Sequence, residues 1–166
     1  MINVDDWTPL VVLLGSIMAF TALVTIIVRR RVKGSVTIAV ASILGIFAGV
    51  TGASHGPGEI LQGNIAPSGI IIEAWPALTL LAGVPAMTLI PSFSVSGIVA
   101  VTLGLAVTIW AATRTQSENG ALVLILLSTM MLFVGGGLLP PVFGVVAGII
   151  CARIRQKDLK TSRQKV

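Results

Sequence analysis

Apolar and polar positions in this chain fall into long blocks. Apolar runs occupy 9–28, 35–53, 94–113, 120–137 and 139–153, the last ending at Arg153, most of them close to the roughly 20 residues that cross a bilayer. Stretches rich in Gly, Pro, Ser and charge separate them. Each run predicts a transmembrane helix, so the expected fold class is a membrane all-α bundle of about five helices. Trp7 before the first run and Trp110 near the end of the third sit where interfacial anchors belong. In the second run, Gly45-x-x-x-Gly49 and Ala48-x-x-x-Gly52 are spacings that let helix backbones approach closely in lipid.

Between the second and third runs, residues 54–93 break the pattern. Ser54 to Gly69 is turn chemistry throughout. Ile70 to Phe93 is apolar, but it carries Glu73 near its start and Pro76, Pro85 and Pro91 inside it. Ile70-Ile71-Ile72, Leu78-Thr79-Leu80-Leu81 and Met87-Thr88-Leu89-Ile90 are short, partly β-branched and bounded by Gly or Pro, as strands are. The favoured expectation is a small cap of short strands or irregular structure packed on the helix ends. A re-entrant or interfacial helix over 76–90 is the rival.

Charge orients these elements. Arg29, Arg30, Arg31 and Lys33 follow the first run directly, Arg114 follows the third, and the tail 154–166 continues the basic stretch opened by Arg153 and Arg155. Cations are expensive at mid-membrane and gather on the cytoplasmic side. An even number of crossings between the first cluster and the tail therefore requires either that Ile70–Phe93 stays on one side or that the last two runs form one broken helix. The first solution makes all eleven Lys and Arg residues cytoplasmic. It predicts a multi-pass plasma-membrane protein with its amino end outside, an extracytoplasmic cap over 54–93 and a basic cytoplasmic tail. The acidic start, with Asp5 and Asp6, also argues against a basic signal-peptide n-region.

Composition agrees: 55% hydrophobic and 10% charged is far from the roughly 25% charge of a soluble domain. The net charge of +5 does not indicate nucleic acid, because the cations flank apolar runs. They point to anionic lipid head groups as partners. One cysteine, Cys151, excludes an internal disulfide or a multi-cysteine metal site.

Several motifs carry a resemblance. Ala53-Ser54-His55-Gly56-Pro57-Gly58-Glu59-Ile60-Leu61-Gln62-Gly63-Asn64, then Pro85-Ala86-Met87-Thr88-Leu89-Ile90-Pro91, then Gly135-Gly136-Gly137 with Pro140-Pro141, resemble small, functionally uncharacterised prokaryotic multi-pass membrane proteins. The resemblance implies a membrane fold and supplies no catalytic residue. The layout of a large first outer loop with short later connections is also similar to claudin-type tetraspan proteins, by architecture alone. The paired cysteines of the claudin loop are absent here.

Candidate chemistry is sparse. His55 and Glu59 stand four apart, as two metal ligands or an acid–base pair on a helix would, but Gly56-Pro57-Gly58 between them argues against a helix. Loop hydrogen bonding is the preferred expectation there. Glu73, beside Trp75 and Pro76, is either a surface carboxylate or a buried cation- or proton-binding group. Apart from Arg153 at the very end of the last, the five runs contain no Asp, Glu, Lys, Arg or His, which argues against a coupled transporter unless Glu73 enters the bilayer. Their Ser and Thr hydroxyls are expected to bond the preceding helical turn or a neighbouring helix and not to line a pore. No nucleophile elbow, phosphate loop or dinucleotide fingerprint occurs, and no cofactor is expected.

The sequence thus favours a non-enzymatic integral membrane protein whose cap binds a partner or helps organise a membrane assembly, as a homo-oligomer or with another membrane protein. The alternative is a small transport or channel subunit using Glu73 and the Gly/Pro-interrupted segments.

Overall fold

The computed structural model describes residues 36–73 and 84–164. In chain order these form helices α1 (Val36–Ala53) and α2 (Gly56–Leu61), strands β1 (Ile71–Ile72) and β2 (Ala86–Met87), and helices α3 (Phe93–Thr113), α4 (Gly120–Leu132) and α5 (Leu139–Arg163). Three helical stretches are long and apolar enough to cross a membrane: Val36–Leu61, in which α1 and α2 run on through a turn, Phe93–Thr113 and Leu139–Gln156. Among the described residues three such stretches are present, and five spans are not confirmed. The first predicted run, 9–28, lies outside the described residues, as do Arg29, Arg30, Arg31, Lys33, Trp75 and the run 78–81.

The run predicted at 120–137 is helical only over Gly120–Leu132, about 20 Å at 1.5 Å per residue. The helix predicted at 139–153 instead continues through the basic stretch to Arg163.

Small residues set the packing. α1 and α3 are antiparallel along a seam where Gly45 meets Ala111, Gly49 meets Gly104 and Thr108, and Gly56 of α2 meets Gly97 and Val101. A Cβ built on Gly104 would lie 2.6 Å from both the Ala53 nitrogen and the Gly49 oxygen, so backbone touches backbone there. The Gly45/Gly49 spacing thus does what its sequence predicts. Gly52, of the second spacing, faces Met131. α5 runs antiparallel to α1 and α4, with Gly144 against Ser128 and Ala48, and Gly148 against Ile125. Ile46, Ala48, Val107, Ala111, Leu124, Met131 and Ala147 form the core. In lipid, where apolar side chains gain nothing by leaving water, such close contact is what holds helices together.

The hydroxyls on these helices mostly bond their own preceding turn: Thr102 donates to Ile98, Thr108 to Gly104 and Thr129 to Ile125, each at 2.8 Å. Ser42 instead bonds Thr115 at 3.2 Å, tying α1 to the α3–α4 connection. Trp110 Nε1 donates to the Gly120 carbonyl at 3.1 Å across the same connection. Trp110→Phe keeps an aromatic ring but deletes this bond together with the fused pyrrole ring. It should cost at least about 1 kcal/mol, the net worth of one such hydrogen bond, read as a lowered unfolding midpoint in detergent.

The two ends of the bundle differ. Arg114, at the end of α3, Arg153 and Arg155 gather at one end, where Arg155 reaches Glu118 at 3.5 Å. The opposite end holds α2, the strands and the α4–α5 connection. β1 pairs with β2 antiparallel, Ile71 opposite Met87 and Ile72 opposite Ala86. Ile70–Phe93 thus leaves and returns at the same end of the bundle, with Thr88 N donating to Ile70 O and Phe93 N to Ile65 O. Short strands form in the predicted cap. The rival helix over 76–90 is not seen in its described part, where Ala86–Met87 is a strand.

Candidate functional site

Local sequence argues against a helix at Gly56-Pro57-Gly58, yet α2 begins there. Two tertiary facts reverse the expectation. Pro57 occupies the first turn, where its missing N–H costs nothing. The glycines permit contact that a side chain would block, since a Cβ on Gly56 would strike Val101 and the Gly97 carbonyl. Glu59 N donates to His55 O at 3.4 Å, so the helical path includes His55 and sets both side chains on one face. The helix stops at Gly63, whose φ of 81° suits glycine.

That face is covered by the α4–α5 connection. Gly135 N donates to Met87 O at 2.8 Å, Leu138 N to Pro85 O at 3.1 Å, and Leu89 N to Phe133 O at 2.9 Å. The connection thereby acts as a third line of a ribbon with β2 and β1. Gly135 (φ 88°) and Gly137 (φ 79°) both take left-handed backbone, which glycine alone adopts without penalty. Their missing side chains leave the space that two polar groups occupy. A Cβ on Gly135 would collide with both carboxylate oxygens of Glu59, and one on Gly137 would lie 2.5 Å from His55 Nε2.

His55 is 3% exposed and Glu59 4%. His55 Nε2 and both Glu59 oxygens are buried without a hydrogen-bond partner among the described residues. Ser96 stands beside the carboxylate, but its hydroxyl donates to Thr88 Oγ1 at 2.7 Å, with the Val134 carbonyl also in reach at 3.3 Å. Ser96 and Thr88 are themselves buried. One imidazole, one carboxylate, two hydroxyls and a backbone carbonyl from four separate segments thus lie in one buried region. Nearly all buried polar atoms in proteins are paired, and an ionised carboxylate buried alone costs several kcal/mol. His55 and Glu59, four residues apart, thus hold three buried polar atoms for which the geometry gives no hydrogen-bond partner among the described residues, with the Ser96 hydroxyl beside the carboxylate.

Glu73, the other candidate carboxylate, is exposed and is not part of this pocket. At the opposite end of the bundle, a cleft of about 170 Å³ is lined by Ile38, Thr115, Cys151 and Arg155, among others. Its cation is already engaged by Glu118, and Cys151 is a buried packing residue. Sequence reasoning named His55 and Glu59 but missed Ser96, Thr88, Gly135 and Gly137 as their surroundings. The three consecutive glycines were the available signal, since a loop of glycines is as much a space for other groups as a break in a helix.

No match to this chain was found among protein-family models, curated proteins or solved structures.

Proposed function

We propose that this chain is a non-enzymatic multi-pass membrane protein in which His55 and Glu59 form an exchangeable proton- or cation-binding centre, and that it works as a small transport subunit. The basic end, with Arg114, Arg153 and Arg155, faces the cytoplasm next to anionic head groups. The ribbon end, with His55 and Glu59, faces outside. The supporting observation is the trio of buried, unpartnered atoms on His55 and Glu59. Ionisable groups are rarely retained within a membrane-embedded segment without a role, because their desolvation is costly.

Flux in proteoliposomes tests this. Glu59→Gln keeps the shape of the side chain and removes the titratable charge, and should reduce proton or cation flux at least tenfold. Glu73→Gln, at an exposed carboxylate, should leave it within twofold. The reverse pattern, with Glu73 essential and Glu59 dispensable, would refute the assignment.

A second reading, that the outer cap binds a protein partner, draws on a different observation. Leu61, Ile65, Ile70, Ile71 and Leu89 are each 57–68% exposed at the ribbon end. Exposed aliphatic side chains clustered on a cap are the usual mark of an interface. A second copy of the chain is the simplest occupant. Ile71→Glu would then shift the sedimenting species in detergent from dimer to monomer.

A further inference from the structure

We infer that the His55–Glu59 centre takes a divalent transition-metal ion of the zinc, cobalt or nickel type, bound reversibly through His55 Nε2 and the Glu59 carboxylate. This deepens the transport assignment and rests on it for the site's exchangeability.

The donor set argues for the class. Alkali ions, magnesium and calcium favour all-oxygen coordination, whereas an imidazole nitrogen favours the borderline first-row metals. A carboxylate and an imidazole four residues apart on one helix have the spacing at which helices present two ligands to zinc. Both side chains are more than nine-tenths buried, and the atoms that would ligate are those without partners. The Gly135 and Gly137 positions crowd these same atoms so closely that any side chain there would displace them. A proton shared by Glu59 and His55 would leave the second carboxylate oxygen without a partner, whereas a metal ion would accept electron pairs from imidazole and carboxylate alike.

The count of ligands argues for exchange over permanence. Structural zinc is held by four protein ligands, and among the described residues no group of three His, Cys, Asp or Glu residues converges. Two strong donors, with the Ser96 and Thr88 hydroxyls nearby to hold a coordinated water, leave coordination positions open. Such a site loads and unloads.

The test titrates cobalt(II) into the full chain, purified in detergent through a tag that contains no histidine. Cobalt reports coordination directly by its visible absorption. The expected result is a saturable one-to-one complex, displaced by zinc, whose affinity falls tenfold or more in both His55→Gln and Glu59→Gln and is unchanged in Glu73→Gln. The wild-type chain supplies a check that needs no variant. His55 is its single histidine, so the one imidazole signal in a histidine-labelled NMR spectrum must shift on adding zinc. Absence of one-to-one binding up to millimolar cobalt, an unmoved imidazole signal, or binding indifferent to both substitutions would overturn the inference. Proton flux that depends on Glu59, with no metal bound, would also overturn the metal while leaving the transport assignment standing. One-to-one metal binding without flux would uphold the metal site and remove the transport role.

Discussion

Gly104→Val is expected to destabilise the bundle by about 3 kcal/mol or more, the upper end of what overpacking costs. The reason is the nature of the obstruction. A Cβ at position 104 would meet the Ala53 nitrogen and Gly49 oxygen at 2.6 Å and the Ala53 Cβ at 2.7 Å. A flexible side chain can turn aside, but backbone cannot without moving α1 off α3 along its length. That seam carries the Gly45, Gly49 and Gly56 contacts as well, so the damage spreads to α2 and the His55–Glu59 face. Gly49→Val, on the other side of the same contact, should do similar harm. The double variant should be little worse than either single one, because the seam is opened once. Gly69→Ala, with nothing within 4 Å of the new atom, is the control and should stay within about 0.5 kcal/mol. Circular dichroism melts in detergent measure all four.

Gly135→Ala is expected to cost about 3 kcal/mol and to abolish flux. Two terms contribute. Left-handed backbone at φ 88° penalises any L side chain by roughly 1–2 kcal/mol, and the new methyl collides with the Glu59 carboxylate. Gly63→Ala separates them. Gly63 has a similar φ of 81° but open space around it, so its substitution should lose only the backbone part and leave the proposed flux unchanged. Adding Glu59→Ala to Gly135→Ala removes the collision and should recover the remainder, a coupling visible in a double-mutant cycle. If Gly135→Ala and Gly63→Ala behave alike in stability and flux, the glycine loop is not shaped around Glu59.

The helices were readable from apolar run length and small-residue spacing, which are local quantities. Val36–Ala53 and Phe93–Thr113 fall within a residue of their predicted bounds. Two of the three differences come from tertiary contact, and the third from local helix propensity. The run drawn through 120–137 ends at Leu132 because the next residues leave the helix to pair with Pro85, Met87 and Leu89, some fifty positions away. α2 forms against its local composition because glycine at 56 can lie on Gly97. The polar stretch after Arg153 stays helical because it contains strong helix formers and neither Gly nor Pro. The site shows the same division. His55 and Glu59 were visible as residue types at helical spacing, but their burial depends on the glycine connection folding back over them. No window of sequence around position 55 contains that connection.

The brevity of α4 has a further consequence for the surrounding lipid. Its 13 residues reach about 20 Å, roughly 10 Å short of a hydrocarbon layer about 30 Å thick, so a crossing at α4 would need more than the helix itself. Either the leaflet puckers inward there or residues 133–138 descend below the head groups, and mismatch of this size is absorbed at modest cost. The descent is chemically tolerable because the amides of Phe133, Gly135, Gly136 and Leu138 all find backbone acceptors, as apolar surroundings demand. Thickening the host bilayer with longer-chain lipids is then expected to press on the glycine loop itself, read as a lowered melting midpoint in the thicker bilayer.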